Sequence, residues 1–328
     1  MDKQHPGETI LAVDIGGTKV AAALITETGE ILKRCIEPTC QDGPEAGIEQ
    51  IVRILWGLQK NPDNSCSRVL AVGVGIPAVL EPVTDHVIWG PNLPGWRNIP
   101  LKEELMKKLD LPVAVEYDGH TAVLGEWWKG QGQGVQSLVD IIIGTGIGGG
   151  LILDGKLVRG MNRLAGAAGW IAMTSNAHEE QARPEMMGHW EFLAAGPGIL
   201  LRAKQLAVKY PDSALHGLVF GKKVTTRDIF ESARAGELLA AQIVRETAEI
   251  IGLGVASIVS LLNPEKVILG GSIGAQGDLL LDDVRSAAAQ WAQPVSIGSV
   301  EIVSSTLGAD AGLLGAAYAA WLRYSTYK

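Results

Sequence analysis

Apolar residues near the N-terminus fall in short unbroken runs, Ile10 to Val13 and then Val20 to Ile25, with the polar stretch "TETGE" before Ile31. Runs of this length, bounded by turn residues and lacking helical spacing, predict three consecutive buried strands joined by tight turns. The same pattern returns roughly 130 residues later in "SLVDIIIGTGIGGGLILDGKLVRG", with a strand to Ile143, a glycine turn, a strand to Leu153 and the turn "DGK". Apolar positions in "AAQIVRETAEIIGLGVASIVSLL" recur every three to four residues and predict a long helix. It is followed by the turn "NPE", a short strand Val267 to Leu269, and Gly270, Gly271 and Ser272. The strand in "LPVAVEYD" runs into a helix read from "DGHTAVLGEWW", and "LGADAGLLGAAYAAWLRY" closes the chain as a helix of small residues suited to close packing. Two strand-turn-strand units at this separation suggest duplicated α/β domains.

Length and composition narrow the classes. The chain has 328 residues, 47% of them hydrophobic, enough for two domains with cores of their own. No run reaches the eighteen consecutive apolar residues of a membrane span, and "MDKQHPGETI" has no apolar signal region, so a soluble cytoplasmic protein with no membrane partner is expected. A net charge of -8 without a dense Lys/Arg cluster argues against nucleic acid as a partner. Cys35, Cys40 and Cys66 lack CxxC spacing and read as reduced structural thiols.

Glycine is the unusual component, at 41 residues, and it gathers at the two predicted strand turns. In the first turn, Asp14 to Lys19, the glycines let backbone N–H groups approach an anion without Cβ obstruction. Thr18 and Lys19 would add a hydroxyl and a charge beside phosphate, and Asp14 would hold Mg²⁺ through water. A plain hairpin turn is the alternative. The second turn has the same form, and the two would face one another across a phosphate site.

The motifs "DIGGTK", "NLPGW", "GTGIGGG", "LNPEKVILGGS" and "GADAGLLGAA", in that order, resemble the ROK family of sugar kinases and related repressors, within the actin and hexokinase ATPase superfamily. The resemblance covers nearly the whole chain. It implies two ribonuclease H-like α/β domains, each with a mixed five-stranded sheet, and ATP bound in the interdomain cleft. The implied division is a small domain, 1–118 plus 304–328, with a returning C-terminal helix, and a large domain, 119–303. Gly16, Gly17, Thr18 and Lys19 would form one phosphate loop with Asp14 on Mg²⁺. Gly144, Thr145, Gly146 and Gly148 would form the other, with Gly270, Gly271 and Ser272 near the adenosine. Family members often pair through the large domain, which makes a homodimer an expectation. Family repressors carry an N-terminal helix-turn-helix, whereas the first strand here begins by residue 9, so an enzyme is expected.

On the acceptor side the resemblance implies that Asp118 is a general base acting on a sugar hydroxyl, with Tyr117 standing where the family has Asn. A carboxylate ending an apolar strand is partly desolvated and rigidly placed, which supports a site; a helix N-cap is the alternative. Asn92 is kept, and Ala78 stands where many family kinases have Gly. The family pattern Ala-Gly-Glu-x-Gly-His appears here as "LAGAAGWIAM", so Ala167 and Trp170 replace a Glu and a His that hold sugar hydroxyls, the His also binding zinc. The cysteines of the family's zinc loop are missing, so no structural zinc site is expected. Glu191 matches the Glu beyond that loop, with His189 beside it as a ligand-side candidate. His178, Glu185 and His189 have a spacing open to a replacement metal, although the segment has the composition of a solvated loop. Trp96 reads as a core anchor; Trp89 and Trp170 are candidates for ligand contact, with core packing the simpler role. The implied acceptor is a sugar or modified sugar with fewer polar groups where Ala167 and Trp170 stand. A nucleotide- or sugar-binding regulator with weakened turnover is the alternative function.

Overall fold

The computed structural model describes residues 7–60, 68–173, 187–221 and 224–325. They form two compact units. The first comprises Met1–Gly134, Gly150–Gly166 and Ala309–Lys328, and the second Val135–Gly149 and Ala167–Gly308. The division expected at residue 118 therefore falls inside the first unit.

The first unit opens with β1 (Glu8–Ile15), β2 (Lys19–Thr26) and β3 (Ile31–Pro38), the three strands expected from the apolar runs. Helix α1 (Pro44–Gln59) follows, then β4 (Arg68–Ile76), the short strands β5 (Val79–Leu80), β6 (Val87–Trp89) and β7 (Arg97–Ile99), helix α2 (Leu101–Leu109), β8 (Val113–Tyr117) and helix α3 (Asp118–Lys129). The main sheet has the order β3-β2-β1-β4-β8. Its first three strands are antiparallel, while β4 lies parallel to both β1 and β8. Strands β1 and β4 are continuous apolar runs because both faces are covered. Edge strand β3 instead alternates half-buried and exposed positions.

The second five-stranded sheet is built from β9 (Leu138–Ile143), β10 (Ile147–Leu153), β11 (Lys156–Leu157), β12 (Lys266–Gly270) and β13 (Glu301–Ser304), in the order β11-β10-β9-β12-β13. Here β10 and β11 are antiparallel, and β12 is parallel to β9 and to β13. The order matches that of the first sheet, so the repeat seen in the sequence is a repeat of topology, the duplicated ribonuclease H-like arrangement. A 3-10 turn (Ala168–Trp170) leads to the helices of the second unit: α4 (His189–Ala194), α5 (Gly196–Lys209), α6 (Ala214–Gly221), α7 (Thr226–Arg234), α8 (Leu238–Leu262), α9 (Gly271–Gly274), α10 (Gly277–Trp291) and α11 (Pro294–Ser299). The long helix α8 stops at Asn263, which takes the left-handed conformation with Pro264 behind it, the reason "NPE" reads as a turn.

Helix α12 (Ala311–Ser325) returns to the first unit and packs on α3. Gly315 permits the approach, since a side chain there would overlap the Thr121 carbonyl of α3. This contact is why α3 belongs to the first unit rather than to the domain expected to begin at residue 119. The core of this unit gathers Leu11, Val13, Leu24, Leu55, Val74 and Trp96, so Trp96 is the anchor expected of it. Trp89 and Trp170 are 40% and 55% exposed, so core packing is not their role. Among the described residues no helix is long and apolar enough to cross a membrane.

Candidate functional site

In the first unit the ends of three parallel strands set the site. Asp14 near the end of β1 is in register with Gly75 of β4, and Gly75 with Glu116 of β8. Tyr117 and Asp118 lie just beyond, at the carboxyl edge of the sheet, where open α/β sheets place their ligand groups. Asp118 is the first residue of α3; Tyr117, not Asp118, is the N-cap, and no side chain caps this helix. The Asp118 carboxylate accepts a bond from the N–H of Gly119 at 2.8 Å, and its carbonyl accepts the Thr121 hydroxyl at 2.8 Å. The aspartate that sequence alone leaves between base and cap is therefore not a cap in geometry.

Burial raises the Asp14 carboxyl to about 6, with the Lys19 ammonium pulling the other way. Burial raises Asp118 to about 7, and the charge of Asp14 adds to the rise. Two half-buried carboxylates that interact through their charges form a donor set of hard oxygens suited to Mg²⁺ near Asp14. Gly312 of α12 lies against Asp14 so closely that a Cβ would meet its carboxylate at 2.8 Å. Sequence reasoning found "GADAGLLGAA" as a packing and family motif; nothing local links Gly312 to Asp14, almost 300 residues away.

The first glycine turn is fixed by its carbonyls. Gly16 N–H bonds the Lys19 carbonyl at 2.8 Å and closes the hairpin. Thr39 donates its hydroxyl to Gly16 O at 2.6 Å and its N–H to Thr18 O at 3.1 Å, and Gln41 donates to Gly17 O at 3.2 Å. Three acceptors that would repel a phosphate are thereby engaged. Thr18 and Lys19 are exposed. Asn92 is also exposed and leans on this turn: a Cβ at Gly17 would meet Asn92 Cβ at 3.0 Å. Ala78 is buried, with its N–H bonded to Ile76 O.

In the second unit the turn after β9 carries Gly144, the exposed Thr145 and Gly146, and Gly148 lies in β10. Gly144 donates to Gly146 O at 2.9 Å and its carbonyl accepts from Gly196, the first residue of α5, at 2.8 Å. Ser272 lies alongside, 3.5 Å from where a Cβ of Gly144 would stand. Gly270 ends β12 and Gly271 turns the chain with φ of 76°, so the turn at Gly144 and the Gly270–Ser272 corner are brought together.

Glu191 bears on the second glycine turn. Its Oε2 accepts the N–H of Ile147 at 2.7 Å, and it covers Gly146, where a side chain would strike the carboxylate. Burial pushes this carboxyl up, partly offset by the Ile147 N–H. His189 opens α4 and takes the N–H of Met173 on Nδ1 at 3.2 Å. His178 and Glu185 lie outside the described residues, and among those described no group of three or more His, Cys, Asp or Glu could hold a metal ion. Ala167 is half-buried at the start of the 3-10 turn that ends in exposed Trp170.

Sequence reasoning also missed the charged web behind β8. Glu116, 1% exposed, accepts from Arg159 at 2.7 Å and Arg163 at 3.0 Å, with His120 Nδ1 at 3.6 Å. His120 is held in turn by the Ala165 carbonyl at 3.1 Å, and Tyr117 stands edge-on to it. The two arginines of "LVRGMNR" were the available signal, but their partners lie far away in sequence.

The ROK family profile matches residues 10–322. The glucokinase of Halalkalibacterium halodurans is 32% identical over 312 residues, 93% of this chain and 92% of that protein. The glucokinase of Streptomyces coelicolor is 34% identical over 316 residues, 94% of this chain and 96% of that protein. In structure, a ROK family glucokinase from Streptomyces griseus, solved with glucose and AMPPNP, superposes with a TM-score of 0.80 at 33% identity, covering 96% of this chain and 99% of that one. Matched from its first strand to its last helix, with two five-stranded sheets of matching order, the chain belongs to the ROK family.

Proposed function

We propose that the protein is a cytoplasmic ATP-dependent carbohydrate kinase in which Asp118 takes the proton of the acceptor hydroxyl. The observation that carries this reading is the pair of carboxylates at one sheet edge, Asp14 and Asp118, with Asp118 raised to about 7 by burial and by the charge of Asp14. A base is most effective when its pKa lies near the working pH, and that condition is met here. When bound, Mg²⁺ with ATP supplies the γ-phosphoryl group and offsets the charge that develops on it. Asp14 would hold the metal through water. The backbone N–H groups of the turns at Asp14–Lys19 and Gly144–Gly146 would orient phosphate, with Lys19 adding charge and the Gly270–Ser272 corner leaving bare backbone beside the adenosine. The glucokinase relatives and the AMPPNP complex of the Streptomyces griseus enzyme support a sugar acceptor and a nucleotide donor.

The acceptor proposed is a sugar with fewer polar groups than glucose at one end. Ala167 offers no hydrogen bond, and the indole of Trp170, more than half exposed, offers an apolar face to C–H groups of a ring. Glu191, tied to Ile147 N–H through one oxygen, would offer the other to a hydroxyl. A panel of some dozens of sugars and analogues with ATP and Mg²⁺, read as ADP release, tests the assignment. A deoxy-, amino- or anhydro-sugar turned over faster than glucose is the expected result. ADP release from no member, with nucleotide bound normally, would replace the kinase by a binding protein. Restoring the polar pair in Ala167→Glu with Trp170→His should move the ranking toward ordinary hexoses by roughly tenfold, and an unchanged ranking in the folded double variant would displace the acceptor pocket from this turn.

A further inference from the structure

Where the first turn of α12 meets the end of β1, Gly312 lies against the carboxylate of Asp14 itself. A Cβ at Gly312 would stand 2.8 Å from Asp14 Oδ2, 2.9 Å from Cγ and 3.1 Å from Oδ1. Distances so nearly equal put that position over the face of the carboxylate. Beyond the oxygen edge, both oxygens would be clearly nearer than Cγ. The lone pairs of a carboxylate lie in its plane, so α12 backs the face of Asp14 without covering the edge that coordinates.

A methyl group at 312 would force either the helix or the carboxylate to move, and the helix is locked. On one side of Gly312 the Ala311 carbonyl occupies the space that Gly125 of α3 leaves open; on the other, Gly315 admits the Thr121 carbonyl. Gly73 of β4 likewise admits the Ala316 carbonyl. In all three contacts a backbone carbonyl fills the place of a missing side chain, and close-packed backbone gives little. The Arg34–Asp310 ion pair also ties the residue before α12 to edge strand β3. The backbone of Asp14 is held just as firmly, in register with Ala21 on one side and Gly75 on the other. Rotation of the Asp14 side chain about its own bonds is what can yield. The helix itself has no need of glycine at 312, where alanine is the better helix former. We propose that Gly312 is a positioning residue for the metal: its bare α-carbon sets the rotation of Asp14, and so the direction in which that carboxylate meets the water shell of Mg²⁺. This rests on the reading above that Asp14 holds the metal. Groups that orient a metal-binding side chain typically change metal affinity by about tenfold or more when altered.

The test measures AMPPNP affinity by calorimetry, once with Mg²⁺ and once with EDTA, together with a melting curve, on the full-length protein and three variants. The ratio of the two affinities is the advantage that Mg²⁺ confers. Gly312→Ala should lose roughly tenfold of that advantage while melting at the parent's temperature or above it. Asp14→Asn, which removes the charge that holds the metal, should lose at least as much. Gly252→Ala is the packing control: its Cβ would meet Ala287 Cβ at 2.5 Å and the Val284 carbonyl at 2.8 Å where α8 packs on α10. It should melt lower than the parent and keep the full Mg²⁺ advantage. An undiminished advantage in Gly312→Ala, beside a loss in Asp14→Asn, would overturn the role of Gly312 and leave the reading of Asp14 intact. A fall in the melting of Gly312→Ala as large as that of Gly252→Ala, or a failure to fold, would make Gly312 a packing residue and overturn the proposal. An equal loss of advantage in Gly252→Ala would overturn it too, by showing that any weakening of the fold has this effect. No Mg²⁺ advantage in the parent, or one kept in full by Asp14→Asn, would remove the metal from Asp14 and the proposal with it.

Discussion

Glu116 and Asp118 stand two residues apart at the end of one strand and are driven in opposite directions. Burial alone would raise the Glu116 carboxyl, but the near approach of His120, the bonds from Arg159 and the charges of Arg159 and Arg163 outweigh it and hold that group well below the usual carboxylate range. Among the described residues no cation offsets the charge of Asp118, and burial and the like charge of Asp14 lift it to about 7. The same strand therefore presents one carboxylate that is permanently charged and structural and another poised to exchange a proton. What separates them is not depth but company: one faces a web of arginines, the other faces a second acid.

That contrast predicts its own largest breakage. Asp118→Asn retains the size and the Gly119 bond but cannot accept a proton, so turnover on the identified acceptor should fall by ~10²- to 10⁴-fold with nucleotide affinity nearly unchanged. Steady-state ADP release with a nucleotide titration checks it. Near-native turnover would remove Asp118 from the reaction and return it to a merely structural place at the start of α3.

The partner variant should fail in the other coin of measurement. Glu116→Gln leaves Arg159 and Arg163 beside a neutral amide in a buried setting, and breaking one side of a buried ion pair costs about 3 kcal/mol or more. A clear fall in melting temperature is expected, larger than the activity loss per folded molecule. Thermal melting paired with specific activity corrected for folded fraction decides it, and a variant as stable as the parent would show that the web contributes little to folding.

These two carboxylates also mark how far the sequence could be read. Strand ends, both glycine turns, the long α8 and the returning α12 were legible because each rests on a local pattern: apolar runs, turn residues, three-to-four spacing. Asp118 was legible as an acid at a strand end. Its freedom from capping was not, because that depends on where Tyr117 turns the chain. The Asp85–Arg163–Glu116 web was invisible, since its members come from a loop, a strand, the stretch after β11 and α12, and no periodicity joins positions so far apart. The packing of α3 on α12 was out of reach for the same reason: it depends on Gly315 meeting Thr121, a contact across almost 200 residues. Trp170 was left between ligand contact and core packing because large aromatics are usually buried, and only tertiary structure shows which face is left open.

A third test reads the poised proton directly. With Asp118 as base, activity under kcat/KM conditions for the acceptor should decline as pH falls through about 7, approaching tenfold per unit on the acid side, because the free enzyme then carries a protonated base. Counter-charge at Asp14 weakens the repulsion that lifts Asp118, so the limb should move to lower pH when nucleotide and Mg²⁺ are saturating. A profile flat from pH 5 to 8 would contradict the assignment.

The smallest effect is also the one that best separates a poised base from an ordinary surface acid. Asp118 has a folded-state value near 7 against a reference of 3.8, so the folded protein holds this proton more tightly than the unfolded chain does. The stability gained from it is complete below 3.8 and is lost as pH rises through 7. At pH 8 the charged carboxylate is then a net cost, and Asp118→Asn, which carries no charge at any pH, should be more stable than the parent by about 1–3 kcal/mol. The gain should shrink as pH is lowered toward 5 and vanish near 4. Denaturant midpoints of both proteins at pH 5 and pH 8 give the comparison. A helix cap would show no such trend, because Asn and Asp cap about equally well. A variant that loses turnover and gains stability in the alkaline range has given up a strained functional charge, whereas equal stability at both pH values would mean that the carboxylate is solvated and that burial and Asp14 do not lift it.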